Sequence, residues 1–287
     1  MSILFKKEVY QLKKIKRKSL LYKSGVEYAD FCLNHVEGCA HNCQFPCYAR
    51  NMAKRFGRKD SEWTKPKLVE NALELLDKEI PKYQNEINFV HLCFMTDPFM
   101  YKYPEVKDLT LKIIEKLNKN NIKCTVLTKG VYPKILINRD RYSSLNEYGI
   151  TLVSLSNKFK EEFEPYSAPY SDRIKSLKYL HDKGLKTWVS IEPYPTPNLV
   201  EQNLQEILNK IKFVDRIIFG KLNYNVESSK FEYKGSFYEE CANQVIKFCE
   251  KNNIDYHIKF GTQRVVNKET VTLFRKETNK PLIAYSI

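Results

Sequence analysis

His35-Val-Glu-Gly-Cys39-Ala-His-Asn-Cys43-Gln-Phe-Pro-Cys47-Tyr-Ala-Arg50 spaces three cysteines evenly, in the pattern C-x3-C-x3-C. Three soft thiolates this close can hold one metal or one cluster. Structural zinc takes four ligands, usually as two C-x2-C pairs. The chain has no second pair, so a zinc site would need His35 or His41 as the fourth ligand. An iron–sulfur cube takes one ligand per iron. Three cysteines therefore leave its fourth iron open to a small molecule, which is the chemistry expected of a catalytic cluster.

Outward from this loop the chain alternates. Residues 28–36 are short and partly apolar and predict a first strand, which delivers the cysteines at its C-terminal end. Helical spacing is expected over 48–58, 66–78, 106–117, 170–183 and 199–210, and in part over 135–145. Strands are expected over 88–94, 122–127, 151–155, 185–191 and 213–219. Pro66 suits a first helical turn, and Gly184 a helix stop. Six βα-like units predict an α/β fold, a partial (β/α)6 TIM-like barrel with a C-terminal extension. The expected organisation is a basic N-terminal arm over 1–27, a barrel core over 28–225 and an extension over 226–287 packed on the barrel. In the extension, Phe237, Cys241, Val245 and Phe248 share a helical face, residues 253–259 suggest a further strand, and a hairpin is expected around Asn279. Barrel enzymes gather polar side chains at the C-terminal ends of their strands. Here those ends carry the cysteines, Thr96-Asp97, Thr128-Lys129, Ser156-Asn157, Glu192 and Asn223-Tyr224.

Cys47-Tyr48-Ala49-Arg50, with the clustered cysteines and Thr96-Asp97, resembles the radical SAM superfamily, and within it the spore photoproduct lyase-like group. That group spaces its cysteines C-x3-C-x2-C. This chain has one more residue before Cys47, and Pro46 stands where the group has an aromatic; Phe45 is the expected substitute ring. The resemblance implies a [4Fe–4S] cluster on Cys39, Cys43 and Cys47, with S-adenosylmethionine chelating the open iron. It implies that Thr96 and Asp97 receive the cofactor's ammonium; the plainer role for Asp97 is a cap before the next helix. Lys129, in a Thr-Lys match to the group, and Ser156 are expected at the cofactor's carboxylate or ribose, with Glu192 also on the cofactor-binding side. Phe163-Glu164-Pro165 followed by Arg173 extends the likeness, with Glu164 orienting Arg173 by a bidentate pair or Arg173 itself holding the carboxylate. The implied reaction is reductive cleavage to a 5′-deoxyadenosyl radical that takes hydrogen from a substrate, supplied with electrons by a reductant such as flavodoxin or ferredoxin. Cys93 and Tyr224 are the candidates for hydrogen transfer, although Tyr224 would equally pack a ring over the cofactor.

Composition narrows the setting. No run approaches eighteen apolar residues, so no spanning helix is expected. Eight cysteines without a secretory h-region argue against a disulfide framework and for a reducing cytoplasm. The 287 residues carry 48 basic and 34 acidic side chains, a formal +14. That charge favours a polyanionic partner, DNA or RNA. Lys13, Lys14, Lys16, Arg17 and Lys18 would contact phosphates or form a mobile, solvated lead-in. A peptide or small metabolite remains an alternative substrate. A non-enzymatic metal-containing nucleic-acid-binding protein is the alternative outside enzymes.

Overall fold

The computed structural model describes residues 12–25 and 28–263. In chain order these form β1 (Lys13–Ile15), β2 (Leu21–Lys23), β3 (Phe31–Leu33), β4 (Val36–Glu37), α1 (Tyr48–Arg55), α2 (Asp60–Trp63), β5 (Lys67–Val69), α3 (Ala72–Tyr83) and β6 (Phe89–Leu92). There follow α4 (Pro104–Lys119), β7 (Lys123–Thr128), a 3-10 turn (Lys134–Ile137), β8 (Glu147–Thr151), α5 (Asn157–Phe163), α6 (Tyr170–Asp182) and β9 (Lys186–Tyr194). The last are α7 (Leu204–Lys210), β10 (Arg216–Lys221), α8 (Val226–Ser229), α9 (Lys234–Asn252) and β11 (Asp255–Ile258).

The main sheet runs β11-β10-β9-β8-β7-β6-β3-β2. Every pairing is parallel except β2 with β3. Alternating side chains explain its burial on both faces. On one face, Val90, Leu92, Val126, Ile150, Val189, Ile217 and Phe219 join a single large core with residues of α3, α4, α6, α7 and α9. Each such side chain contributes about 1.5–3 kcal/mol by burial. On the other face, Leu127, Trp188 and Ile218 form a separate cluster with Tyr28 and Phe94, to which no helix of the described residues contributes. Among the described residues, helices thus cover the outer face of a curved wall whose edge strands are β2 and β11. The expected α/β partial barrel is borne out, with a seventh parallel strand, β11, contributed from the segment after residue 226.

Several element boundaries differ from the sequence expectation. Residues 66–78 are not one helix. Lys67–Val69 pairs with both β1 and β4 in a small second sheet, and α3 starts only at Ala72. Leu68 and Val69 are buried in that strand, and the Asn71 side chain brackets the Arg17 backbone at 3.1 and 2.9 Å, which fixes where the helix begins. Residues 13–15 and 21–23, expected in a basic arm, are strands of the two sheets. The fourth barrel strand is Glu147–Thr151, upstream of residues 151–155. Leu152 and Val153 owe their apolar character to burial in the following loop. The helix expected from 199 begins at Leu204, where Asn203 accepts a bond from the Gln205 amide. The hairpin expected around Asn279 lies outside the described residues.

Candidate functional site

The cysteine loop is pinned at several points. The Cys39 amide donates to the Trp63 carbonyl at 2.8 Å, the Ala40 amide to Met100 Sδ at 3.3 Å, and the Gln44 amide to the Phe163 carbonyl at 2.9 Å. Gly38 has φ +81°, and a Cβ there would stand 2.6 Å from the Trp63 carbonyl oxygen, so only glycine fits this entry into the loop. Cys47 then opens α1, which Arg50 ties to Asp60 through two bonds of 2.6 Å. All three cysteines are partly buried free thiols. Burial pushes the Cys43 thiol up to about 11, against the pull of Lys129, and burial with Asp97 raises Cys39 well above its ordinary value.

A buried chain of charges ends on Cys43. Lys129 Nζ lies 3.6 Å from Cys43 Sγ and 3.0 Å from Glu164 Oε1, while Glu164 Oε2 meets Arg173 at 2.6 Å. Glu164 and Arg173 are fully buried. The expected bidentate pair is therefore replaced by a carboxylate shared between two cations. Burial alone would raise the Glu164 carboxyl, but Arg173 and Lys129 outweigh it and hold it at about 2. Arg173 is further fixed by the Ala168 and Thr151 carbonyls at 2.9 and 2.8 Å and by Ser167. Phe45 stacks on Phe163, and Lys129 Nζ sits 4.6 Å from the Phe45 ring centre.

Asp97 is 5% exposed and already engaged. Its Oδ1 accepts from the Thr128 hydroxyl at 2.6 Å and the Phe99 amide at 2.9 Å, and its Oδ2 from the Lys129 amide at 2.7 Å. The Tyr101 amide donates to His41 Nε2 at 3.0 Å, so the neutral ring carries its proton on Nδ1, 3.5 Å from Asp97 Oδ2. Burial depresses His41 to about 4, Asp97 opposing it. Two acceptor atoms with these partners leave little capacity for a further donor. Asp97→Asn places an amide N–H₂ against either the Lys129 N–H or the Thr128 and Phe99 donors. The expected loss is about 1–3 kcal/mol of stability, read by denaturant unfolding, together with weaker S-adenosylmethionine binding by calorimetry. Unchanged stability would mean that Asp97 does not organise this corner.

The other expected site residues are dispersed. Thr96 is half-buried beside Asp97, its hydroxyl a long 3.5 Å from the Val36 carbonyl. Ser156 caps α5, accepting from the Phe159 amide at 3.3 Å. Glu192 lies within β9, on the parity of Trp188 and Ser190, close against Gly220 and 3.7 Å from Lys259 Nζ. Cys93 is buried with its sulfur 3.4 Å from His35 Nδ1, and His35 Nε2 meets the Thr110 hydroxyl at 2.7 Å. Tyr224 is 76% exposed just beyond β10. His35 and His41, the two candidate fourth zinc ligands, thus both have partners elsewhere. Among the described residues no three His, Cys, Asp or Glu side chains converge as ligands of a single ion. A cube places its thiolates on separate irons, and three thiols on one loop fit that demand.

Ser167 is a structural member of this site that sequence reasoning did not select, while His41 and Thr128, read from the sequence as a possible zinc ligand and a strand-end residue, are partners of Asp97 in the fold. The only sequence signal for Ser167 was its proximity to Arg173.

Residues 33–211 match the sequence model of the Radical SAM superfamily. The chain is 28% identical over 204 residues to an uncharacterized protein of Acidianus two-tailed virus, covering 65% of this chain and 64% of that one. It is 28% identical over 236 residues to an uncharacterized protein of Methanocaldococcus jannaschii, covering 79% and 83%. Among solved structures it is similar in fold to spore photoproduct lyase complexed with dinucleoside spore photoproduct, with a TM-score of 0.64 at 13% identity over 86% of this chain and 81% of that one.

Proposed function

The chain belongs to the radical SAM superfamily, and on that premise we propose that Cys39, Cys43 and Cys47 hold its [4Fe–4S] cluster and that it abstracts hydrogen from a nucleic-acid substrate. The observation that carries the site assignment is the convergence of Cys43, Lys129, Glu164 and Arg173, which come from four different segments. When bound, the cluster and S-adenosylmethionine supply one-electron cleavage of the sulfonium C–S bond and the hydrogen abstraction that follows.

The chain's own residues bind, orient and exclude water. Lys129 offsets negative charge at the Cys43 sulfur, and Glu164 with Arg173 fixes its position. Phe45 and Phe163 cover this side of the site with stacked rings. Asp97 holds Thr128 and the Lys129 backbone in place, and Thr96 beside it offers its hydroxyl to the cofactor's ammonium. Ser156 keeps a capping role and Glu192 faces the inner wall. Neither Cys93, tied to His35, nor exposed Tyr224 is needed in this proposal.

Nucleic acid is supported by the formal +14 charge and by the fold shared with a lyase whose structure holds a dinucleoside photoproduct. Anaerobically reconstituted protein should contain four irons and four sulfides and release 5′-deoxyadenosine from S-adenosylmethionine under dithionite. Stoichiometric zinc without sulfide would sink the cluster assignment. The substrate is tested separately with Lys13, Lys14, Lys16 and Lys18, which stay exposed, whereas Arg17 is bound to Asn34 and Glu37. Neutralising these four lysines should flatten the plot of log affinity against log salt by about one unit per lost phosphate contact. An unchanged slope would point to a peptide or small metabolite instead.

A further inference from the structure

We infer that the corner joining α1 to α2 is the docking surface for an acidic one-electron carrier protein; this rests on the proposed assignment of Cys39, Cys43 and Cys47 to the cluster. Residues 54–59, Lys-Arg-Phe-Gly-Arg-Lys, are exposed without interruption. Phe56 is 76% exposed at their centre. Between residues 48 and 67 there are seven basic side chains and two acidic ones. Lys54 shares Asp60 with Arg50, and Arg58 meets Glu37 at 2.9 Å. Arg55 and Lys59 have no ion pair among the described residues, so the corner keeps uncompensated positive charge.

What lies beneath this corner decides its partner. Ala49 and Ala53 of α1 and Trp63 of α2 form a small buried cluster, and Cys39 and Cys47 pack against it. Cys47 is also the residue that opens α1, and Cys39 is bonded to the Trp63 backbone. The exposed patch thus begins at the far end of the eight-residue α1 from Cys47, about 12 Å along the helix axis, over the cluster that Cys39 and Cys47 pack against. The inner-wall cluster of Tyr28, Trp188 and Ile218 shares no residue with it. A substrate that loses hydrogen has to reach the inner wall. A carrier that only passes an electron needs closeness to the thiolates. An exposed aromatic ringed by Arg and Lys suits an interface with an anionic rim. In the transfer itself the reduced carrier loses one electron and the enzyme's cluster gains it; no bond forms or breaks.

The test uses reconstituted holoenzyme and an acidic [2Fe–2S] ferredoxin. Two variants are compared with the parent: Arg55→Glu with Lys59→Glu, and Phe56→Ser alone. Ferredoxin affinity, measured by biolayer interferometry at low ionic strength, should weaken by about tenfold or more in the charge-reversed protein. The difference should close as salt rises. Stopped-flow reduction by ferredoxin should slow in both variants, and reduction by dithionite should not. Unchanged ferredoxin affinity would overturn the surface. So would equal slowing with dithionite, which would mean a damaged cluster site. Loss of single-stranded oligonucleotide binding with ferredoxin binding intact would also overturn it, assigning the corner to nucleic acid. A parent protein whose cluster dithionite cannot reduce would remove the cluster assignment itself, and this surface with it.

Discussion

Glu164→Ala is expected to destabilise the protein by about 3–5 kcal/mol, because it leaves buried Arg173 and half-buried Lys129 without their shared counter-charge. For a chain of this size that is a fall in Tm on the order of 10 °C. The native Glu164 carboxyl, at about 2, lies below its ordinary 4.5. Its stabilisation is therefore complete above the unfolded value and is lost as pH falls from there towards 2. Differential scanning calorimetry across this window should show the parent losing stability while Glu164→Ala changes less. A drop below about 1 kcal/mol in the variant would show that the network is solvated rather than buried. Replacing Glu164, Arg173 and Lys129 together by Leu, Leu and Met should recover much of the stability, since a buried ion cluster is often no more stable than an apolar one. It should not recover cofactor binding, and that separation tests whether the charges serve the site or the fold.

The second large effect is on the metal. Cys39→Ala, Cys43→Ala and Cys47→Ala should each bring 5′-deoxyadenosine formation to background, because each removes a thiolate for which the loop has no substitute. His35 and His41 are held by Thr110, Cys93, Tyr101 and Asp97. Iron and sulfide content should fall with them, and the reduced cluster's electron paramagnetic resonance signal should weaken or change shape. Cys241→Ala, in the core beside α7, is the control and should load iron normally. Full activity in any of the three loop variants would remove that cysteine from the ligand set.

Much of this was legible along the chain. The cysteine loop was visible because its thiols are separated by so few residues that any fold brings them near one another. The barrel strands were visible because their apolar runs are buried on both faces, as in Lys123–Thr128, where Cys124 and Val126 face the helices and Leu127 the inner wall. Three-residue strands such as β1 and β5 were not, because so short a run carries no period and exists only through its partners. Nor was the start of α3, which depends on Asn71 meeting Arg17 across 54 positions.

The sequence by itself determined the close spacing of three cysteines, the α/β alternation and the excess of positive charge, all of which depend on residue type and local spacing. Only the tertiary structure decided which polar groups are occupied. Asp97 looks like a free carboxylate in the chain and is bonded to Thr128, Phe99 and Lys129 in the fold. Glu164 looks like Arg173's partner and is shared with Lys129. Tyr224 follows a barrel strand as an active residue would and is exposed. Hydrogen bonds and ion pairs form over about 3 Å, and separation along the chain does not report distances that short between segments dozens of residues apart.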